Sequence, residues 1–247
     1  MLKFFKGVIF MLWLIRMVGL VMVFFLLSVP FFIIFLLCPR NVIVLYYAAK
    51  LFSGIGFKIL GIKIEKRNLA LLETVRPAII ISNHQSFLDV LVGSASIPRY
   101  TVSLGKRSIL LIPFFGWLYW ISGNILINRK KKVHAYKTME TVGQEIKTRK
   151  VFVWIMAEGT RNKTKQMLLP FKKGPFHVAI SSKIFISPVA ISRYDKLNFN
   201  KWCAGKIIVE ALAPVSSDDK TKEHIPYMIE ELHRKMEEKI ISLTGEV

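Results

Sequence analysis

The stretch Ala78-Ile79-Ile80-Ile81-Ser82-Asn83-His84-Gln85-Ser86-Phe87-Leu88-Asp89 decides how this chain is read. One alanine and three isoleucines predict a short buried strand. Where that run ends, a histidine and a carboxylate follow five positions apart. A histidine paired with an acid can take a proton from a hydroxyl near neutral pH. A second apolar run, Val151 to Met156, is followed by the polar cluster Glu158-Gly159-Thr160-Arg161. Two such turns belong at the carboxyl edge of one sheet, which is where open α/β sheets bind ligands.

The runs Ile59 to Ile64, Tyr100 to Leu104, Asn124 to Ile127, Ile184 to Ala190 and Ile207 to Leu212 also read as strands. Between strands, Val90 to Ser96, Ser108 to Ser122, Val133 to Lys150 and Gly174 to Ser182 have helical length or spacing. Ile225, Met228, Ile229, Leu232, Met236 and Ile240 recur at helical spacing near the C-terminus, a stripe suited to core packing. The expected fold class is therefore α/β, a single sheet flanked by helices. An N-terminal membrane-embedded helical segment over residues 1–58 precedes the α/β domain and its C-terminal amphipathic helix, residues 59–247.

That segment rests on composition. Between Gly7 and Cys38 the sole charge is Arg16, and the uncharged run from Met17 to Leu37 is about long enough to cross a hydrocarbon core of ~30 Å. Lys3, Lys6 and Arg16 precede the run while Arg40, Lys50 and Lys58 follow it, so the positive-inside bias places both ends on one side. A hairpin in one leaflet, broken at Gly19 or Pro30, satisfies that better than a single span. The chain carries 36 Lys and Arg against 16 Asp and Glu, for a formal net charge of +20, and is 53% apolar. The charge favours anionic partners, and the apolar content points to membrane lipids over nucleic acid. Cys38 and Cys203 are the two cysteines, with no disulfide framework or zinc-ligand spacing, and no histidines or acids form a metal-binding motif.

On a continuous helix, His84 and Asp89 would stand about 140° apart, so the histidine must sit in the turn with Asp89 leaning back toward it. Ser86-Phe87-Leu88-Asp89 is equally a capping box, in which the serine and aspartate bind each other's backbone amides, and spacing alone leaves both readings open. In the second cluster Arg161 offers a fork for a phosphate, Gly159 permits close backbone approach, and Glu158 can accept a hydroxyl or orient the arginine. Lys106, Arg129 and Lys172-Lys173 are further cations, each also explicable as the surface of a basic protein. P-loop, dinucleotide and serine-hydrolase motifs are absent from the sequence.

At these residues the chain resembles the glycerolipid acyltransferases that carry an H-x4-D motif. Asn83-His84 through Asp89 is similar to that family's first block. Gly105-Lys106-Arg107-Ser108, Ile112 to Gly116 and Gly123 to Arg129 lead through its second; Glu158 to Arg161 is similar to the third and Ile186-Ser187-Pro188-Val189 to the fourth. Two positions depart: Met156-Ala157 precedes Glu158 where Phe-Pro is common, and Asn128 stands where Asp is frequent.

The resemblance implies that His84 is a general base with Asp89 as its partner, and that Glu158, Gly159, Thr160 and Arg161, with Arg129 and Lys106, hold the substrate phosphate. It implies acyl transfer from an acyl thioester, on acyl carrier protein or coenzyme A, to the 2-hydroxyl of a lysophosphatidic acid. No cofactor and no metal are required. The implied location is the bacterial cytoplasmic (inner) membrane, with the active site on the cytoplasmic side. Acylation of glycerol 3-phosphate or of another lysophospholipid uses the same chemistry and stays open, as does a non-catalytic basic protein that binds anionic lipid.

Overall fold

The computed structural model describes residues 2–127 and 142–247, with side chains from residue 11 onward. Two long helices open the chain, α1 (Leu2–Leu37) and α2 (Val42–Leu60). They are followed by β1 (Ile62–Arg67), β2 (Ala78–Ser82), α3 (Asp89–Ser96), β3 (Thr101–Lys106), α4 (Phe115–Ile121) and β4 (Ile125–Ile127). Residues 142–149 are helical (α5). The chain ends with β5 (Phe152–Met156), α6 (Gly174–Ser182), β6 (Phe185–Ile191), β7 (Gly205–Ala211) and α7 (Ile225–Gly245).

Among the described residues seven strands form one sheet in the order β1-β7-β6-β2-β5-β3-β4. Strand β2 is central and parallel to both β6 and β5, β3 is parallel to β5 and β4, and β7 runs antiparallel to β6. The C-terminal ends of β2, β5, β3, β4 and β6 therefore share one edge. All five residues of β2 are buried, as a strand covered on both faces requires. Side chains alternate: Ile79 and Ile81 pack with Phe176, Leu232 and Met236, while Ala78 and Ile80 pack with Phe57, Leu60 and Val92. So α6 and α7 cover one face, and α2 and α3 the other. Each of these isoleucines is fully buried, worth roughly 1.5–3 kcal/mol in transfer from water.

The expected strands form, with ends shifted by a residue or two, except that α2 runs to Leu60 and takes the first two positions of the run Ile59 to Ile64. The expected helix Ser108 to Ser122 is split into a 3-10 turn, Arg107–Leu111, and α4. Pro113 explains the break, because it lacks an amide hydrogen and forces the residue before it out of helical geometry. Ile112 accordingly has ψ 112°.

Neither Gly19 nor Pro30 breaks α1, which runs through both, and the chain reverses instead over residues 38–41. Asn41 starts α2 by accepting the amides of Ile43 (3.0 Å) and Val44 (3.2 Å) on its side-chain oxygen. The two helices run antiparallel, with Gly19 facing Ile59 and the rings of Phe24 and Phe52 6.1 Å apart. The hairpin is tied to the α/β domain at both ends. The buried Arg16 guanidinium donates to the carbonyls of Phe199 and Trp202, both at 2.7 Å. At the reversal, the Arg40 amide donates to Ile121 (2.9 Å) and its guanidinium pairs with Glu145. From Arg16 to Leu37 is roughly 30 Å of helix, all of it lying along the domain. The outer face, including Met11, Ile15, Val18, Met22, Leu26, Val29, Ile33 and Leu37, is exposed and apolar.

Candidate active site

The His84 turn is held from every side. Its backbone amide donates to Oε1 of Glu158 at 2.5 Å, and its carbonyl accepts the Asn162 amide at 2.7 Å. On one flank, Asn83 exchanges two hydrogen bonds with the backbone of Ile191 at the end of β6, its Nδ2 donating at 2.9 Å and its Oδ1 accepting at 3.0 Å. On the other, the Gln85 amide group donates to the Ser192 carbonyl at 3.0 Å. The turn after β2 is thereby fixed to the turns after β5 and β6.

Within this frame His84 Nδ1 lies 2.6 Å from Oδ2 of Asp89. A carboxylate can only accept, so the imidazole carries its proton on Nδ1 and presents Nε2 as the basic nitrogen. The Asp89 side chain is fully buried, while 21% of the His84 side chain stays exposed. Oδ2 also accepts the amides of Gln85 (2.6 Å) and Ser86 (2.9 Å), and Ser86 Oγ accepts the Leu88 amide (2.9 Å). The capping box forms only in half, since Asp89 accepts the Ser86 amide but Ser86 Oγ accepts the Leu88 amide and not that of Asp89; the same carboxylate braces the turn before α3 and contacts the histidine. Asp89 can do both because α3 begins at Asp89 and not at Ser86, leaving the turn ahead of it free to fold back.

Glu158 requires a correction. Its second oxygen accepts the Leu169 amide at 3.0 Å and the residue is 1% exposed, so both oxygens face inward onto backbone donors. A buried anion spent in this way is no ligand for a phosphate; it is a brace for the His84 turn. Burial pushes its carboxyl above the usual range, against the opposing pull of the two amides.

Gly159 turns the chain with φ 70°, a conformation other residues adopt at a cost, and brings Thr160 and Arg161 to the surface. Arg161 adjoins Asn162, whose amide holds His84, and among the described residues nothing hydrogen-bonds or ion-pairs with its guanidinium. Lys106 is exposed at the end of β3, on the same edge, in register with Ile127 of β4. Arg129 lies outside the described residues. Lys172 and Lys173 are exposed just before α6. Ala157, at the departure from Phe-Pro, is buried and donates its amide to the Ser82 carbonyl at 3.1 Å, so the substitution leaves the Glu158 turn locked to β2.

Asn83, Gln85, Asn162 and Tyr194 escaped the reading of the sequence. The Tyr194 hydroxyl donates to Oδ1 of Asp89 at 2.7 Å across 105 residues of chain. Asn83 and Gln85 flank the histidine, so adjacency was the available signal; nothing in spacing points to Tyr194.

A model of the family described as Acyltransferase matches residues 63–192. Over 192 residues the chain is 38% identical to the 1-acyl-sn-glycerol-3-phosphate acyltransferase of Haemophilus influenzae, spanning 77% of this chain and 80% of that one. The chain belongs to the acyltransferase family. This acyltransferase is also 39% identical over 188 residues to the 1-acyl-sn-glycerol-3-phosphate acyltransferase of Escherichia coli K12, covering 76% of each. Its fold is similar to the crystal structure of a 1-acyl-sn-glycerophosphate acyltransferase from Thermotoga maritima, with a TM-score of 0.69, 18% identity, and coverage of 97% of this chain and 98% of that one.

Proposed function

We propose that this acyltransferase moves a fatty acyl group from an acyl thioester to the 2-hydroxyl of 1-acyl-sn-glycerol 3-phosphate, giving phosphatidic acid. The observation that carries the reading is the His84–Asp89 pair, 2.6 Å apart, with Nε2 open at the sheet edge. His84 Nε2 takes the hydroxyl proton as the oxygen attacks the thioester carbonyl. The tetrahedral intermediate collapses, the C–S bond breaks, and the proton passes to the departing thiolate. A thiol of pKa about 8.5 leaves readily, so the demanding step is activation of the hydroxyl, where a placed base contributes roughly 10²–10⁴-fold. No acyl-enzyme and no cofactor are needed.

Arg161, with Thr160, Gly159, Lys106 and Arg129, receives the acceptor's phosphate, and Glu158 serves by holding the turn. Acyl carrier protein or coenzyme A carries the donor; a net charge of +20 steers either anionic carrier toward the protein. The hairpin lies in one leaflet of the bacterial cytoplasmic membrane, with the catalytic edge on the cytoplasmic side. Its exposed apolar outer face and its ties to the domain at Arg16 and Arg40 support that placement.

The phosphate assignment is tested by replacing Arg161 with alanine. A charged hydrogen bond worth about 1.5–3 kcal/mol corresponds to a rise of tenfold or more in the KM for lysophosphatidic acid. The KM for the thioester should hold. Equal losses for both substrates would remove Arg161 from the acceptor site, and equal use of glycerol 3-phosphate would reassign the acceptor.

A further inference from the structure

Asp89 is saturated. Oδ2 accepts three donors, His84 Nδ1 and the amides of Gln85 and Ser86, and Oδ1 accepts the Tyr194 hydroxyl. The first three come from the same turn as Asp89 and would follow the carboxylate if it shifted. Tyr194 is different: it arrives from the segment after β6, the strand beside β2, and ties Oδ1 to a separate part of the chain. A carboxylate whose second oxygen was open could twist about its Cβ–Cγ bond, and the short contact from Oδ2 to Nδ1 would lengthen or tilt. The imidazole plane, and the aim of Nε2, depend on that contact.

The loop that presents Tyr194 is itself braced. The Tyr194 carbonyl accepts the Leu197 amide at 3.0 Å, the Asn198 amide donates to Ala204 at 2.8 Å, and the Ala204 amide donates to Gly61 at 2.7 Å. Arg16 of α1 holds the carbonyls of Phe199 and Trp202 in the same loop. The Tyr194 ring packs against the apolar cluster that contains Leu88 and Val92 of the α3 region. A hydroxyl delivered by so constrained a ring has little freedom to leave its acceptor. Burial and the neighbouring Asp89 charge also push that hydroxyl well above the ordinary tyrosine range, so it remains a donor wherever the enzyme works.

We propose that Tyr194 is a positioning residue of the reaction, clamping Oδ1 of Asp89 so that Oδ2 keeps the His84 imidazole aimed at the acceptor hydroxyl. This rests on the reading of His84 and Asp89 as the reacting pair. Tyr194 touches neither substrate nor the reacting atoms; it acts through Asp89, and its effect belongs in kcat.

The test measures kcat and both KM values of full-length protein in lipid nanodiscs for Tyr194→Phe, Asp89→Ala and the double variant. Loss of one hydrogen bond to a charged group predicts a kcat lower by about tenfold in Tyr194→Phe. Both KM values should stay within twofold of wild type, by about the same argument that places the effect in the transition state. In the Asp89→Ala background, with the acceptor gone, Tyr194→Phe should change nothing further. A wild-type kcat in Tyr194→Phe beside a collapsed Asp89→Ala would overturn the inference alone. So would a fall of the same factor in both backgrounds, which marks a merely structural tyrosine. If Asp89→Ala itself kept wild-type kcat, the underlying reading of the pair would fail instead.

Discussion

His84 is a residue whose backbone is as tightly specified as its side chain. Glu158 takes its amide, Asn162 supplies a donor to its carbonyl, and Asp89 takes its Nδ1. Such framing suits a base that must meet a hydroxyl within about 3 Å, since small misplacements of a reacting group cost large factors in rate. Glu158 contributes to this at a cost to the fold. Its carboxyl is raised by burial, so the folded protein binds that proton more readily than the unfolded chain does. The stability it contributes is therefore present below the ordinary glutamate range and lost as pH rises through its raised pKa. Wild type should gain thermal stability relative to Glu158→Gln as pH falls from neutral toward the ordinary glutamate range, measured by Tm of each protein side by side. At neutral pH the variant should lose activity, because a side-chain amide cannot accept from both backbone amides. A wild type that loses ground to the variant on acidification would show that the amides outweigh burial. The contact between His84 and Asp89 was legible because both residues sit within one short segment. The contacts of Glu158 were not, because His84 becomes its neighbour only when β2 and β5 pair and Leu169 only when the loop after β5 folds back.

At the scale of elements, apolar runs announced the strands well, since central parallel strands are buried on both faces and need no alternation. The region Ser108 to Ser122 misled because its helical spacing outweighed Pro113, which in the fold wins. The hairpin's reversal was misplaced for a related reason: Pro30 and Gly19 are tolerated inside α1, and the stronger signal was Asn41, a helix N-cap. Arg16 shows what a lone charge in an apolar helix does. It reads as a stray cation, yet it ties α1 to the β6–β7 loop through two carbonyls. Replacing Arg16 with leucine should free that loop while leaving the helix intact. Exposed Lys196 and Lys201 then become sites for trypsin, and cleavage there should rise severalfold over wild type when followed by mass spectrometry. Unchanged protection would mean that the loop's own hydrogen bonds suffice.

At the scale of the molecule, the sheet edge that carries His84 and Asp89 and the exposed apolar hairpin face define a body suited to lie on a membrane. The two cysteines report this directly. Cys38 is exposed at the hairpin's reversal and Cys203 is exposed in the β6–β7 loop. In sealed vesicles, with each cysteine tested in a variant lacking the other, a membrane-impermeant maleimide should label both from the same side. Labelling from opposite sides would mean that the hairpin crosses the bilayer. Total composition favours membrane over nucleic acid, but the lie of the hairpin along the domain was beyond sequence, because it depends on Arg40 meeting Ile121 and Glu145 far along the chain. The chemistry itself is tested most directly by free-thiol release from a long-chain acyl thioester, with wild type beside His84→Ala and lysophosphatidic acid beside glycerol 3-phosphate as acceptor. Release should require the lysolipid and fall at least about a hundredfold in the variant. Release that is indifferent to the acceptor, or that persists without His84, would contradict acyl transfer by this pair.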